Sequence, residues 1–161
     1  MDYNQQPQDQ QQYQWQHQQQ QYQQPLYQAP QSQLPADRNI VVVILLTFVT
    51  FGIYGIVLRC KLANELNETA SRADGKHTTH FLACVLLSCI TFGIYGLVWN
   101  HKFAERVGNE AARRNTGISF SAADYWIWSF LLSFTVICPF IYQYKLLEAT
   151  NAINASYNIY G

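Results

Sequence analysis

Three stretches of this chain contain no charged side chain: Ile40 to Leu58, Phe81 to Trp99, and about Tyr125 to Tyr144. Two of them run for nineteen uncharged, mostly apolar residues. That is more than the amphipathic helices or alternating strands of a water-exposed fold require. At about 1.5 Å per residue such a helix reaches about 28 Å, close to the roughly 30 Å of bilayer hydrocarbon. The pattern predicts an all-α integral membrane protein. Its three apolar helices, each followed by a short amphipathic helical stretch, are expected at about 40–68, 81–110 and 125–153. The first block begins some forty residues in, lacks a basic n-region and has no small-residue cleavage pattern after it, so it is not read as a signal peptide.

The blocks are related by an internal repeat. Thr50-Phe51-Gly52-Ile53-Tyr54-Gly55 recurs unchanged as Thr91-Phe92-Gly93-Ile94-Tyr95-Gly96, 41 residues later. The match continues outward: Leu45 and Leu46 with Leu86 and Leu87, Val57 with Val98, Lys61 with Lys102, Ala63 with Ala104. A degenerate third copy places Lys145-Leu146 against Lys61-Leu62, with Pro139 near the place of the glycines. The motif residues Gly52, Tyr54, Gly55, Gly93, Tyr95, Gly96 and Pro139 are therefore the candidate structural positions.

Two readings of the hexapeptide follow from its chemistry. Gly52 and Gly55 are three residues apart, so on a continuous helix they share a face that lets another backbone approach closely. Alternatively the helix kinks or breaks there, with Gly52 in a left-handed C′ position and Pro139 marking the matching disturbance in the third copy. Behind each block the apolar spacing is helical: Leu58, Leu62 and Leu66; Phe103, Val107 and Ala111; Leu146, Ala149 and Ile153. Such stripes suit helices at the headgroup level or helix ends docked on one another. Tyr54, Tyr95, Trp99, Tyr125, Trp126, Trp128, Tyr142 and Tyr144 read as an aromatic belt at the block ends.

Residues 1–36 are a different polymer, with seventeen glutamines, prolines at 7, 25, 30 and 35, and no Lys or Arg before Arg38. That composition predicts a disordered, solvent-exposed tail, either a tether or a self-associating segment. Residues 37–158 form the remaining domain.

Lys and Arg set topology, yet they tie. Arg59, Lys61, Arg72 and Lys76 fall in one loop, and Lys102, Arg106, Arg113 and Arg114 in the next. Arg38 and Lys145 flank the blocks, so three spanning helices leave five on each side. Re-entrant hairpins that place both loops on one side account for the tie equally well.

No chemistry of an enzyme is present in the pattern. No acidic residue or lysine lies within a block to make a proton relay. His77 and His80 stand three apart without a third ligand, and Cys60, Cys84, Cys89 and Cys138 read as small apolar fillers. No catalytic fingerprint occurs. Net charge is formally zero and no basic stripe suggests nucleic acid. No catalytic residue, metal or cofactor is expected.

The two hexapeptides, the apolar run before each and the lysine after, with the Pro139 to Asn151 segment behind them, resemble the bacterial membrane protein family called domain of unknown function 4234 (DUF4234), over about Asp37 to Asn158. Ile56-Val57-Leu58-Arg59-Cys60 departs from the aromatic run that often follows the hexapeptide. The resemblance implies a multi-pass protein of the bacterial cytoplasmic membrane and no activity. The expected role is a noncatalytic assembly, interaction or regulatory module. Its partners would be the lipid bilayer, further copies of itself or other membrane proteins. The alternative is a small oligomeric channel or transporter subunit lined by Thr47, Thr50, Ser88 and Thr91.

Overall fold

The computed structural model describes residues 30–161 apart from Ser133 and Val136. Among them the chain is all-helical. Helix α1 spans Ile40–Val49, α2 Ile53–Asp74, α3 Phe81–Ile90 and α4 Ile94–Arg113. A single turn, α5 (Ala122–Asp124), runs on as a π-helical stretch over Tyr125–Leu131, and α6 spans Cys138–Tyr160.

No helix among the described residues is long and apolar enough to cross a membrane. The expected integral membrane fold, three apolar spanning helices, is thereby corrected, and the cause lies in the hexapeptide. After ten residues, about 15 Å of helix, α1 stops and the chain reverses into α2. The Gly52 N–H donates to the Thr47 carbonyl (2.7 Å) and the Phe51 N–H to the Phe48 carbonyl (3.1 Å), the paired bonds of a Schellman ending. Phe51 (φ 51°) holds the left-handed C′ position and Gly52 (φ 90°) follows it. Glycine therefore sits one residue later than the sequence suggests. Phe92 (φ 51°) and Gly93 (φ 87°) reverse α3 into α4 in the same way. The third block breaks between Leu131 and Cys138, and Pro139 falls in the first turn of α6, where a missing N–H leaves no bond unmade.

Threonine explains why the motif begins as it does. The Thr50 hydroxyl donates to the Leu46 carbonyl (2.7 Å) and accepts from the Tyr54 N–H (2.9 Å), so it closes the end of α1 and caps the start of α2. Thr91 does the same between Leu87 and Tyr95 (2.8 and 3.0 Å).

The polar stretches behind the blocks are the core. Leu58, Trp99 and Tyr142 are buried at one level, Leu62, Phe103 and Leu146 at the next, then Leu66, Val107 and Thr150, then Ala70, Ala111 and Asn154. These stripes are helices docked on each other, the second of the two arrangements their spacing allows. The three long helices run in one direction. Near their starts Arg59 bonds both Asn100 (3.4 Å) and Gln143 (3.2 Å); near their ends Tyr157 bonds Glu68 (3.2 Å) and Arg114 bonds the Thr69 carbonyl (2.9 Å). The three chain reversals consequently lie at one end of the bundle.

The opposite end is held by charge. Buried Arg106 donates through Nε to Asp74 (2.7 Å) and through Nη1 to Asn67 (2.6 Å) and Thr78 (2.7 Å). Its Nη2 reaches Ser71 (3.0 Å) and the Lys76 carbonyl (2.7 Å), fastening the 75–80 loop to α4. Burial would raise the Asp74 pKa, but the Arg106 and Lys76 N–H hydrogen bonds and the charges of Arg106 and Lys76 hold it below the usual value. At Gly108 a β-carbon would come within 2.2 Å of the Phe120 carbonyl oxygen, so only glycine fits under the α4–α5 loop.

The tail expected over residues 1–36 falls largely on residues 1–29, outside the described residues. Residues 30–36 run along α6. The Leu34 N–H and carbonyl pair with the Asn158 amide (2.8 and 2.7 Å), and the Pro35 carbonyl accepts from Asn154 (2.8 Å).

Deleting residues 2–36 should therefore lower stability by about 1–3 kcal/mol relative to deleting 2–29, from the loss of these buried bonds; a thermal melt of the two truncations checks this. The lowered pKa of Asp74 means that its contribution is fully present above the unfolded pKa of about 3.9 and is lost as pH falls through its lower folded value. Asp74→Asn should flatten that acid limb of the pH–stability curve and leave its neutral part parallel to the wild type.

Candidate functional site

Counting back from the level at which Arg59, Asn100 and Gln143 meet, the turns at Phe51, Phe92 and Phe134 are eight or nine residues away. That is about 12–13 Å along the helices. Everything between is uncharged. The result is a crown of three helical hairpins standing on a packed base.

The crown is open on all sides. Phe51, Phe92 and Phe134, one at each reversal, are 97%, 98% and 93% exposed. Phe48, Val49, Ile53, Leu86, Ile90, Ile94, Leu131 and Ile137 are exposed below them. Below the Arg59 level fewer large apolar or aromatic side chains are exposed, Val41 and Leu82 just beneath it and then Tyr144, Ile159 and Tyr160. Exposed apolar side chains gathered at one end in this way mark an interaction surface.

Two further features fit a dry environment. The amides of Thr50, Phe51, Gly52, Ile53 and Tyr54 all donate within the hairpin, so the exposed turn leaves none of these donors needing water. A phenylalanine in the left-handed region costs about 1–2 kcal/mol and here packs on nothing, so its own contacts give no reason to keep it. Partly buried Tyr54, Tyr95, Trp126 and Trp128 pack against the core beneath the crown, and the Trp126 indole donates to His101 (3.1 Å).

The second glycines close each hairpin. A β-carbon at Gly55 would meet Thr47 Cγ2 at 3.4 Å, and one at Gly96 would meet Ser88 Oγ at 2.8 Å. The close approach is thus between the two arms of one hairpin. Tyr54 and Tyr95 face the core rather than one another, and Gly52, Gly55 and Pro139 border one cleft.

That cleft, of ≈ 470 Å³, lies between the first and third hairpins. Its walls are Val43, Ile44, Phe48, Ile56, Leu58 and Phe140, and Arg59 and Tyr142 lie along it. The Arg59 guanidinium carbon is 5.5 Å from the Tyr142 ring centroid. The Tyr142 hydroxyl, on a residue 1% exposed, has no hydrogen-bond partner among the described residues. Burial pushes its pKa up, against the charge of Arg59 and its hydrogen-bonding side chain beside the ring. A second cavity of ≈ 490 Å³ at the charged end has Arg106 and Arg113 in its lining, both already paired with carboxylates.

Sequence reasoning did not single out Arg59, Arg106 or Gly108. Extending the repeat by a few residues would have flagged the first, since Arg59, Asn100 and Gln143 are the polar residues that end each block. His80 accepts from the Leu82 N–H (3.4 Å) at the start of α3, and among the described residues no three metal-ligating side chains come together. Asn67 and Asn154 spend their amides on Thr78, Arg106, Pro35 and Glu65.

The fold and the crown define an all-helical protein of broken apolar hairpins on a charged bundle. The family model described as Domain of unknown function (DUF4234) matches residues 38–109, the first two hairpins and most of their long helices. Over that segment the family resemblance is shown; the third hairpin lies beyond the match. No curated protein and no solved structure matches the chain.

Gly55→Leu and Gly96→Leu should each force the arms of a hairpin apart and cost about 1–3 kcal/mol, the greater loss at Gly96. Leucine at exposed Val42 should change the melting temperature little. Equal melting of all three variants would contradict the hairpin contact.

Proposed function

We propose that this protein is a noncatalytic interaction module that rests on a lipid surface, with the crown sunk into the hydrocarbon of one leaflet and the charged base in water. The observation that carries the reading is the set of three phenylalanines exposed at the hairpin turns, two of them held at positive φ. Two dimensions support it. A crown of about 12–15 Å corresponds to half of the roughly 30 Å hydrocarbon core. Its apolar side chains also point outward all round, as lipid tails would meet them, whereas a single protein partner covers one face.

The arrangement returns each hairpin to the side it came from, so the 59–80 and 100–124 loops lie together at the charged end. The tie between their Lys and Arg residues then needs no explanation. Residues 30–38 run at the same end, and partners in water would meet the module there.

The channel reading draws less support. Thr50 and Thr91 use their hydroxyls on their own hairpins, and Thr47 and Ser88 sit against Gly55 and Gly96. Little polar lining remains for a pathway.

Flotation with phosphatidylcholine/phosphatidylglycerol vesicles tests the proposal. The double variant Phe51→Gly, Phe92→Gly should fold at least as stably as the wild type, because glycine relieves the left-handed positions. It should bind vesicles at least about 100-fold more weakly, since each lost phenylalanine removes roughly 1.5–3 kcal/mol of burial. Tyr160→Gly at the far end should float like the wild type. Unchanged flotation of the double variant, with a defined oligomer dissolved instead, would make the crown a protein interface and defeat the lipid reading.

A further inference from the structure

Among the described residues the most buried charges of the bundle are held in pairs. Arg38 meets Glu65, Arg106 meets Asp74, Arg113 and Arg114 meet Glu110, and Lys145 meets Asp124. Arg59, half-buried where the crown joins the base, has no carboxylate partner among the described residues. Its hydrogen bonds go to two neutral amide oxygens at 3.4 and 3.2 Å, both long for a charged donor. A guanidinium offers five N–H donors in a flat fork, so most of this one is unspent.

Beside it is the Tyr142 hydroxyl, buried and without a partner among the described residues. Buried hydroxyls are ordinarily bonded, and one that is not calls for an explanation. A guanidinium with donors to spare and a hydroxyl without a well-placed partner among the described residues thus stand side by side along a cleft whose other walls are mostly apolar. The cleft's ≈ 470 Å³ lies in the range of small-molecule sites, about 300–1,000 Å³. It reaches from Gly52 near the turn to Arg59 at the base of the crown, seven residues or about 10 Å along α2.

We propose that the cleft between the first and third hairpins holds one lipid with an anionic head, its acyl chain lying between Val43, Phe48, Ile56 and Phe140 and its charged oxygens bonded to Arg59 and the Tyr142 hydroxyl. The chemistry selects this occupant from both ends. An inorganic anion would satisfy Arg59 and leave the apolar walls bare, and a neutral hydrocarbon would fill the cleft and leave the guanidinium without a counter-charge. The direction matches as well. The head lies at the polar level and the chain points toward the turns, as in a lipid of the leaflet in which the crown is proposed to sit. For that direction of entry the inference rests on the leaflet reading; the recognition chemistry stands without it.

The test uses the full chain in a neutral maltoside detergent, titrated with dodecyl phosphate and followed by calorimetry. One saturable site per chain is expected. Arg59→Gln should weaken it at least about tenfold, as expected when a charge-assisted fork is lost. Arg59→Lys should fall between the two, keeping charge without the fork. Tyr142→Phe keeps the ring and so guards against misfolding, and should weaken binding about threefold. Dodecyltrimethylammonium and inorganic phosphate should bind far more weakly than dodecyl phosphate. Equal affinity of wild type and Arg59→Gln overturns the proposal. So does equal binding of the cationic amphiphile, and inorganic phosphate binding as tightly as the amphiphile would make the site one for a free anion. Flotation separates the two claims. A wild type that fails to float yet binds dodecyl phosphate one to one defeats the leaflet reading alone.

Discussion

The turn at Thr50-Phe51-Gly52, with its copy at Thr91-Phe92-Gly93, is the constraint from which the rest of the architecture follows. One hydroxyl closes the helix before it and caps the helix after it, and two left-handed residues reverse the chain between them. A nineteen-residue apolar block that looks long enough to span a bilayer becomes an arm of ten residues, a three-residue turn and the first six residues of the long helix that returns. Each reversal also sends a long helix back in the same direction, so that Leu58, Trp99 and Tyr142 can meet at one level and Leu62, Phe103 and Leu146 at the next. Without the reversal there would be neither a crown nor a parallel three-helix base.

Much of this was legible in the residues. The repeat at 41-residue spacing located both turns and the equivalence of their surroundings, and the stripes Leu58-Leu62-Leu66 and Phe103-Val107-Ala111 are core positions. What misled was length. Counting uncharged residues treats a block as one helix, and the single glycine Gly52 is a weak signal against that, since membrane helices tolerate glycine. The decisive residue was the one before it. Phe51 has poor intrinsic preference for the left-handed region, so nothing in its type announces that it takes the C′ position. The Arg106 clamp and the Gly108 contact were illegible for a different reason. Their partners Thr78 and Phe120 come from loops, and Asp74 from the last residue of α2, and only the assembled bundle brings these to α4.

The two halves of the molecule follow opposite rules. In the base the most buried charges are paired, and the best packed side chains are buried to within a few per cent. In the crown the apolar side chains face outward, while the backbone bonds itself and small residues such as Gly55 and Gly96 let the arms touch. Arg59 stands at the boundary and obeys neither rule, being charged without a counter-charge among the described residues and lodged against an apolar cleft. An environment that is hydrocarbon above this level and aqueous below it, with anionic oxygens between, would suit all three regions at once. That is the physical content of the lipid-surface proposal.

The most direct measurement places a single fluorophore at the turn. Phe92→Cys, in a chain whose native cysteines are replaced by alanine or serine, is labelled with bimane and mixed with vesicles carrying brominated acyl chains. Strong quenching by bromines deep in the leaflet, with little effect of iodide in the water, is the predicted result. Efficient quenching by iodide, with no response to the brominated lipids, would place the turn in water and contradict the proposal.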